Sequence, residues 1–126
     1  MKKVISVLLV LAMVFCFAAC NKKAETVDFK VSDLEGNIVY EFSVDYKDGA
    51  TAGELLEDGL KANNIPYEKY QDTMIDVIGD IAQDHDTWSQ YWSFYLNGNY
   101  AEKGLWEQPV AANDLVELKM ETYVAG

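Results

Sequence analysis

Tyr91-Trp92-Ser93-Phe94-Tyr95-Leu96-Asn97-Gly98 is the stretch on which the fold turns. Six residues rich in aromatic and bulky side chains run into Asn-Gly, the strongest short-range hairpin signal. On an extended strand, Trp92, Phe94 and Leu96 fall on one face and Tyr91, Ser93, Tyr95 and Asn97 on the other. In a domain this small, the first face is expected to pack under a helix.

Upstream, Val27, Phe29 and Val31 alternate with Asp28, Lys30 and Ser32, the signature of a half-buried strand. Glu35-Gly36-Asn37 marks a turn. Ile38, Tyr40, Phe42, Val44 and Tyr46 then alternate with Val39, Glu41, Ser43 and Asp45, completing a hairpin. Thr51-Ala52-Gly53-Glu54 is a capping box, in which Thr51 accepts from the third amide of the helix and Glu54 reaches back. Ala52, Leu55, Leu56, Gly59 and Leu60 form one apolar stripe behind it. Gly59 permits close approach to the sheet. Asn63-Asn64 and Pro66 end the helix. Tyr67 to Asp72 reads as loop, and Met74 to Ile78 as a strand closed by Gly79-Asp80. Downstream of the aromatic strand, Leu115 to Val124 alternates again. The order β-β-α-β-β-(short β)-β predicts a small α+β domain, one mixed β-sheet with a single packed helix.

The N-terminus carries an address. Met1-Lys2-Lys3 is followed by sixteen residues in which only Ser6 is polar, the pattern of a secretory signal. It ends in Phe17-Ala18-Ala19-Cys20, which looks like a bacterial lipobox, with Phe17 where Leu is usual. The expected division is a lipoprotein signal peptide over residues 1–19, a tether over 20–26 and one folded domain over 27–126. Cys20 would carry the diacylglyceryl group, whose two chains give the anchoring that one cannot. The domain would then sit on the extracytoplasmic face of the cell membrane. Cys16 would leave with the signal, so the folded part would hold no disulfide.

Charge narrows the partners. The 126 residues carry 10 Lys and 21 acidic residues, a net charge of −11. Loss of residues 1–19 removes two lysines and no acid, leaving −13. Such a surface repels phosphate backbones, which excludes nucleic acid, and it favours a cationic or neutral ligand over an anionic one.

The catalytic vocabulary is thin. His85 is the single histidine. Asp84-His85-Asp86 lies on a polar loop where adjacent side chains point apart, and it reads as a solvated acidic loop rather than a metal site. Ser89 and Ser93 have no Gly-x-Ser-x-Gly elbow around them, and no Gly-rich phosphate loop occurs. The expectation is a non-enzyme with neither resident cofactor nor metal. The candidate ligand-binding residues are aromatic and amide groups gathered about the strand: Trp88 before it, Tyr95 and Asn97 on its second face, Tyr100 and Trp106 beyond it. Flat apolar rings with polar tips bind rings or sugars. The competing reading of that second face is packing beneath its own loop.

Tyr91 to Gly98, the following Gly104 and Asn113-Asp114-Leu115-Val116-Glu117 together resemble the transcobalamin-like C-terminal domain family. Its pattern is an aromatic strand ending in Asn-Gly, a Gly soon after, and a Gly-Asp turn into the last strand. Here Asn113 replaces that Gly, and Asn tolerates positive φ. The resemblance runs from Ile38 to Tyr123. It implies a β-grasp-like binding module but not tight cobalamin binding; the first expectation for function is a lipid-anchored module that takes cobalamin or a related small molecule for uptake and hands it to a transporter or surface protein. The helical half that completes the clamp in transcobalamin and intrinsic factor is absent from this chain. The alternative is a surface module that pairs with another protein or with cell-wall polymer through an open sheet edge.

Replacing Cys20 by Ala is expected to abolish incorporation of labelled palmitate and to move the protein from the membrane to the soluble fraction. Palmitate retained on the variant would contradict the placement.

Overall fold

In a computed structural model, residues 25–122 are described. The signal over 1–19, Cys20 and most of the 20–26 tether lie outside them. Alternating apolar residues make β1 (Thr26–Ser32) and β2 (Ile38–Asp45), joined through Gly36 at φ +86° and paired antiparallel with Phe29 opposite Phe42. The capping box forms as the sequence predicts and starts α1 (Ala52–Ala62). The Glu54 amide donates to Thr51 Oγ1 at 3.3 Å, and Glu54 Oε1 accepts from the Thr51 amide at 2.9 Å. Asn64, at φ +57°, turns the chain after the helix.

Three strands then follow: β3 (Tyr67–Tyr70), β4 (Met74–Ile78) and β5 (Ile81–Ala82). The aromatic run is β6 (Gln90–Leu96). Asn97 and Gly98, at φ +52° and +85°, form the two-residue turn into β7 (Asn99–Tyr100), both with the positive φ that a type I′ turn demands. The last strand is β8 (Leu115–Thr122), entered through Asn113 at φ +72°.

The strands form two sheets rather than one. Five make a mixed sheet in the order β2-β1-β8-β6-β7, and three make a second, antiparallel sheet in the order β3-β4-β5. In the first, β1 runs parallel to β8, with Phe29 opposite Val116 and Val31 opposite Leu118. The segment read as loop, Tyr67 to Asp72, in fact supplies β3. Its four residues Tyr-Glu-Lys-Tyr have too little apolar alternation to announce a strand, and pairing with β4 holds them extended. The class is nonetheless the expected small α+β one, with a single helix among the described residues.

The core lies between α1 and the inner face of the large sheet. Val27, Phe29, Val31, Val116 and Leu118 meet Ala52, Leu55, Leu56 and Leu60, each at most 1% exposed. A Cβ on Gly59 would collide with the Phe42 ring, and one on Gly53 with the Trp106 indole. At both positions an added side chain would force the neighbouring ring to shift.

A carboxylate on the same helix ties the second sheet down. Glu57 accepts from the Tyr67 hydroxyl at 2.8 Å and from Trp106 Nε1–H at 2.9 Å, with Lys69 Nζ at 3.5 Å. Burial pushes the Glu57 pKa up, but the Tyr67 and Trp106 hydrogen bonds and the Lys69 ammonium outweigh it and hold the carboxyl below its ordinary 4.5. Burial, and then the bond to Glu57, push Tyr67 up to about 12.

Gly59→Ala is expected to lower stability by about 1–3 kcal/mol, since the added methyl must displace the Phe42 ring; an unchanged urea midpoint would contradict that packing. Because the folded Glu57 pKa lies below the unfolded one, its stabilisation is complete above pH 4.5 and drains away as pH falls through the lower, folded value. Glu57→Gln should therefore cost about 1–2 kcal/mol at pH 7 and flatten the acid limb of a thermal melt series below pH 4.5. Parallel acid limbs in the two proteins would refute the assignment.

Candidate functional site

Where the small sheet meets the large one, the inner face of β6 is only partly covered. Trp92, Phe94 and Leu96 pack against the core yet stay half-exposed. Beside them runs an open groove of about 620 Å³. Trp92, Phe94 and Leu118 line it from the large sheet and Met74 and Ile75 from β4, with the buried Leu105 and the exposed Trp88 completing the apolar lining. Its polar and charged lining includes Gln83, Glu102, Lys103 and Glu107.

Trp88 stands at the rim with 39% of its surface exposed. Its φ of +59° is a left-handed conformation that bulky residues avoid, costing about 1–3 kcal/mol. The 84–89 loop imposes it. Asp84 accepts through its side chain from the Thr87 hydroxyl at 2.7 Å, from the Asp86 and Thr87 amides at 3.1 Å, and from the Ser89 hydroxyl at 3.2 Å. The Asp84 carbonyl accepts from the Trp88 amide at 2.6 Å. Thr87, through its hydroxyl and then its amide, holds the Asp84 carboxyl below the usual range.

Behind the rim is a polar network. Trp92 Nε1–H donates to the Asp76 carbonyl at 3.0 Å, and the Trp92 amide to Gln83 Oε1 at 3.3 Å. The largely buried Asp76 carboxylate lies 3.0 Å from His85 Nδ1. That hydrogen bond, against some desolvation, raises the His85 pKa above its ordinary 6.5. Tyr70 stacks on the imidazole at 4.7 Å and meets Trp88 edge-on at 5.8 Å.

The five residues picked out by sequence do not form one platform. Trp88 and Tyr100 both border the groove. Tyr95 lies on the opposite face of the sheet, where its hydroxyl donates to Glu121 at 3.2 Å and Lys119 sits 4.6 Å over its ring. It does not line the groove, and its ring meets that of Tyr100 edge-on, centroids 5.6 Å apart. Asn97 spends its side chain on the fold. Its Nδ2 donates to Asp114 at 2.9 Å, and its Oδ1 accepts from the Leu115 amide at 2.8 Å. Trp106 packs on α1 beneath Lys69, with its N–H committed to Glu57. The grouping of Tyr95, Asn97 and Trp106 with Trp88 and Tyr100 is therefore corrected. Sequence reasoning missed Met74, Trp92, Phe94 and Leu105. Alternation did place Trp92 and Phe94 on the inner face, but nothing local shows that the helix leaves them half uncovered.

The three residues of the acidic loop do not converge on one point. Asp84 caps its own loop, His85 turns to Asp76, and Asp86 is 88% exposed at the side chain. Among the described residues, no three His, Cys, Asp or Glu side chains gather where they could hold a metal ion. No helix among them is long and apolar enough to cross a membrane.

Comparison with known proteins places this geometry. A crystal structure of a candidate metal-binding protein from Ruminococcus gnavus superposes with a TM-score of 0.62 at 21% identity, over 79% of this chain and 99% of that one. Haptocorrin in complex with Cbi superposes with a TM-score of 0.63 at 16% identity, over 81% of this chain and 26% of that one. The chain thus spans about a quarter of haptocorrin, and at these identities the likeness is one of fold. It agrees, at that level, with the transcobalamin-like resemblance carried by Tyr91 to Gly98. No curated protein matches the chain. The family model described as a domain of unknown function, DUF4430, matches residues 49–122, more than half of the sequence, and the chain belongs to that family.

Proposed function

We propose that this domain is a non-enzymatic binding module that takes a flat, ring-bearing small molecule, a corrinoid or a relative of one, into the groove between its two sheets. The observation that carries the reading is the groove itself. A volume of about 620 Å³ falls within the range of about 300–1,000 Å³ typical of small-molecule sites. Trp88, Trp92, Phe94 and Met74 give it the wide apolar surfaces on which planar ligands stack. The groove is open on one side, so it would cover one face of a macrocycle and leave the other for a second partner. The fold shared with haptocorrin, which is seen with Cbi, supports the ligand class. The lipobox-like Phe17-Ala18-Ala19-Cys20 supports a place on the outer face of the membrane, from which ligand would pass to a transporter.

One observation favours a second reading, docking of a protein or wall polymer. β2 is the outermost strand of the large sheet, and Ile38 and Val39 on it are 52% and 43% exposed. An unblocked edge of this kind can accept a further strand.

Titration of the protein with cobinamide is expected to quench tryptophan fluorescence with a Kd well below ~0.1 mM. Trp88→Ala should weaken binding about tenfold or more, while Tyr95→Phe, on the opposite face, should bind as the parent does. No quenching by a broad corrinoid panel, alongside recovery of an envelope partner that Val39→Pro releases, would replace the first reading with the second.

A further inference from the structure

Resting on the groove reading, we propose that Gln83 is the polar anchor of the site, its side-chain Nε2–H donating to a neutral carbonyl oxygen on the edge of the bound molecule. The ligand class is accordingly a flat ring system that carries carboxamides at its edge.

The buried polar side chains among the described residues are Ser32, Asp76, Gln83 and Ser93, and of these Gln83 alone lines the groove. It is 7% exposed. It follows directly on β5, and its backbone amide donates to the Asp76 carbonyl at 3.0 Å, which ties it to β4. The Trp92 amide, 3.3 Å from Oε1, orients the side chain. A backbone N–H only donates, so the carboxamide oxygen must face β6 and the nitrogen is turned away from it. Among the described residues the partner of Nε2 is Met74 Sδ at 3.5 Å. A thioether is a weak acceptor on a flexible side chain, and Met74 is itself exposed and part of the groove lining. Gln90 makes the contrast, since its Nε2 donates to the Ala82 carbonyl at 3.0 Å. Gln83 thus holds a fixed, largely desolvated donor group whose only listener is sulfur. A ligand oxygen taking the place of that sulfur gains a full hydrogen bond.

The strand beside Gln83 favours an amide over an acid. Along the free edge of β6, the Trp92 amide goes to Gln83, and the Phe94 carbonyl accepts from the Ala101 amide at 3.0 Å. In an antiparallel strand the N–H and C=O of one residue point to the same side. The Trp92 carbonyl and the Phe94 amide therefore lie on this edge too, between Gln83 and Ala101, both of which line the groove. No hydrogen bond among the described residues reaches either group. A carboxamide both accepts and donates, so it matches the Gln83 donors and this open pair together. A carboxylate only accepts, and it would meet the Trp92 carbonyl unpaired. The charged lining has the same bias, with Glu102 and Glu107 against Lys103.

The test uses the full chain, with its nitrogens isotopically labelled for NMR, and cobinamide, whose periphery carries carboxamides. Tryptophan quenching reports occupancy of the groove. The Gln83 Nε2–H resonances, identified by their loss in Gln83→Glu, report the donor. The parent protein should quench, and one of those resonances should move downfield at saturation. Gln83→Glu keeps an oxygen for the Trp92 amide and removes the donors, whereas Gln83→Met removes both functions. Each should raise Kd about three- to tenfold. A residue that merely braced Trp92 would leave Gln83→Glu binding as the parent does. Cobyrinic acid, with carboxylates in place of the amides, should bind at least about tenfold more weakly than cobinamide. Quenching by the parent without the downfield move, or parent-like binding by Gln83→Glu, overturns the anchor and leaves the groove standing. Cobyrinic acid binding as tightly as cobinamide overturns the carboxamide class. No quenching by the parent overturns the groove reading and the anchor with it.

Discussion

Everything in this domain hangs on the parallel pairing of β1 with β8. Residues 28–32 lie against 115–119, so the first and last described strands meet in the middle of the large sheet. Each carries its own dependants. β2 is held to β1 by a hairpin, and β6 with β7 to β8. Remove the central ladder and two separate β-units remain, neither with a face wide enough to bury α1. Closing so long a loop is entropically expensive and slow. The return is a continuous apolar surface in which Val27, Phe29, Val31, Val116 and Leu118 are essentially shut off from water.

Glu57 is the second fastening. Its carboxylate collects a hydroxyl, an indole N–H and an ammonium from β3 and from the 101–110 segment, which gives the small sheet a fixed seat on the helix. The groove lies beside that seat. The small sheet covers one part of the inner face and leaves Trp92 and Phe94 half open. The groove is thus lined by a strand of the large sheet, and its rim is a loop whose backbone is held in a costly conformation at Trp88 by the four donors on Asp84.

What could be read from the sequence was what is local. The capping box at Thr51 and Glu54, the Asn97-Gly98 turn, the inward face of β1 and the tight approach at Gly59 all depend on residues a few positions apart or on strict alternation. The parallel ladder and the division into two sheets depend on contacts between distant segments, which no short pattern encodes. The same divide runs through the site. Tyr95, Asn97 and Trp106 have the right chemistry for binding, but their partners Glu121, Asp114 and Glu57 lie 26, 17 and 49 positions away. Only the fold reveals that these rings and amides are occupied. Trp92 and Phe94 show the reverse error: alternation assigned them to the interior, and incomplete cover left them available.

The register of β1, β8 and β6 also sets a compass. The chain enters at Thr26, beside Asn113, while Gln90, two residues past Trp88, is paired with Thr122 at the far end of β8. At about 3.4 Å per residue along β8, these two ends are on the order of 25 Å apart. Thr26 therefore lies at the pole opposite Trp88, and the rim of the groove stands at the end of the sheet away from the point where the described chain begins.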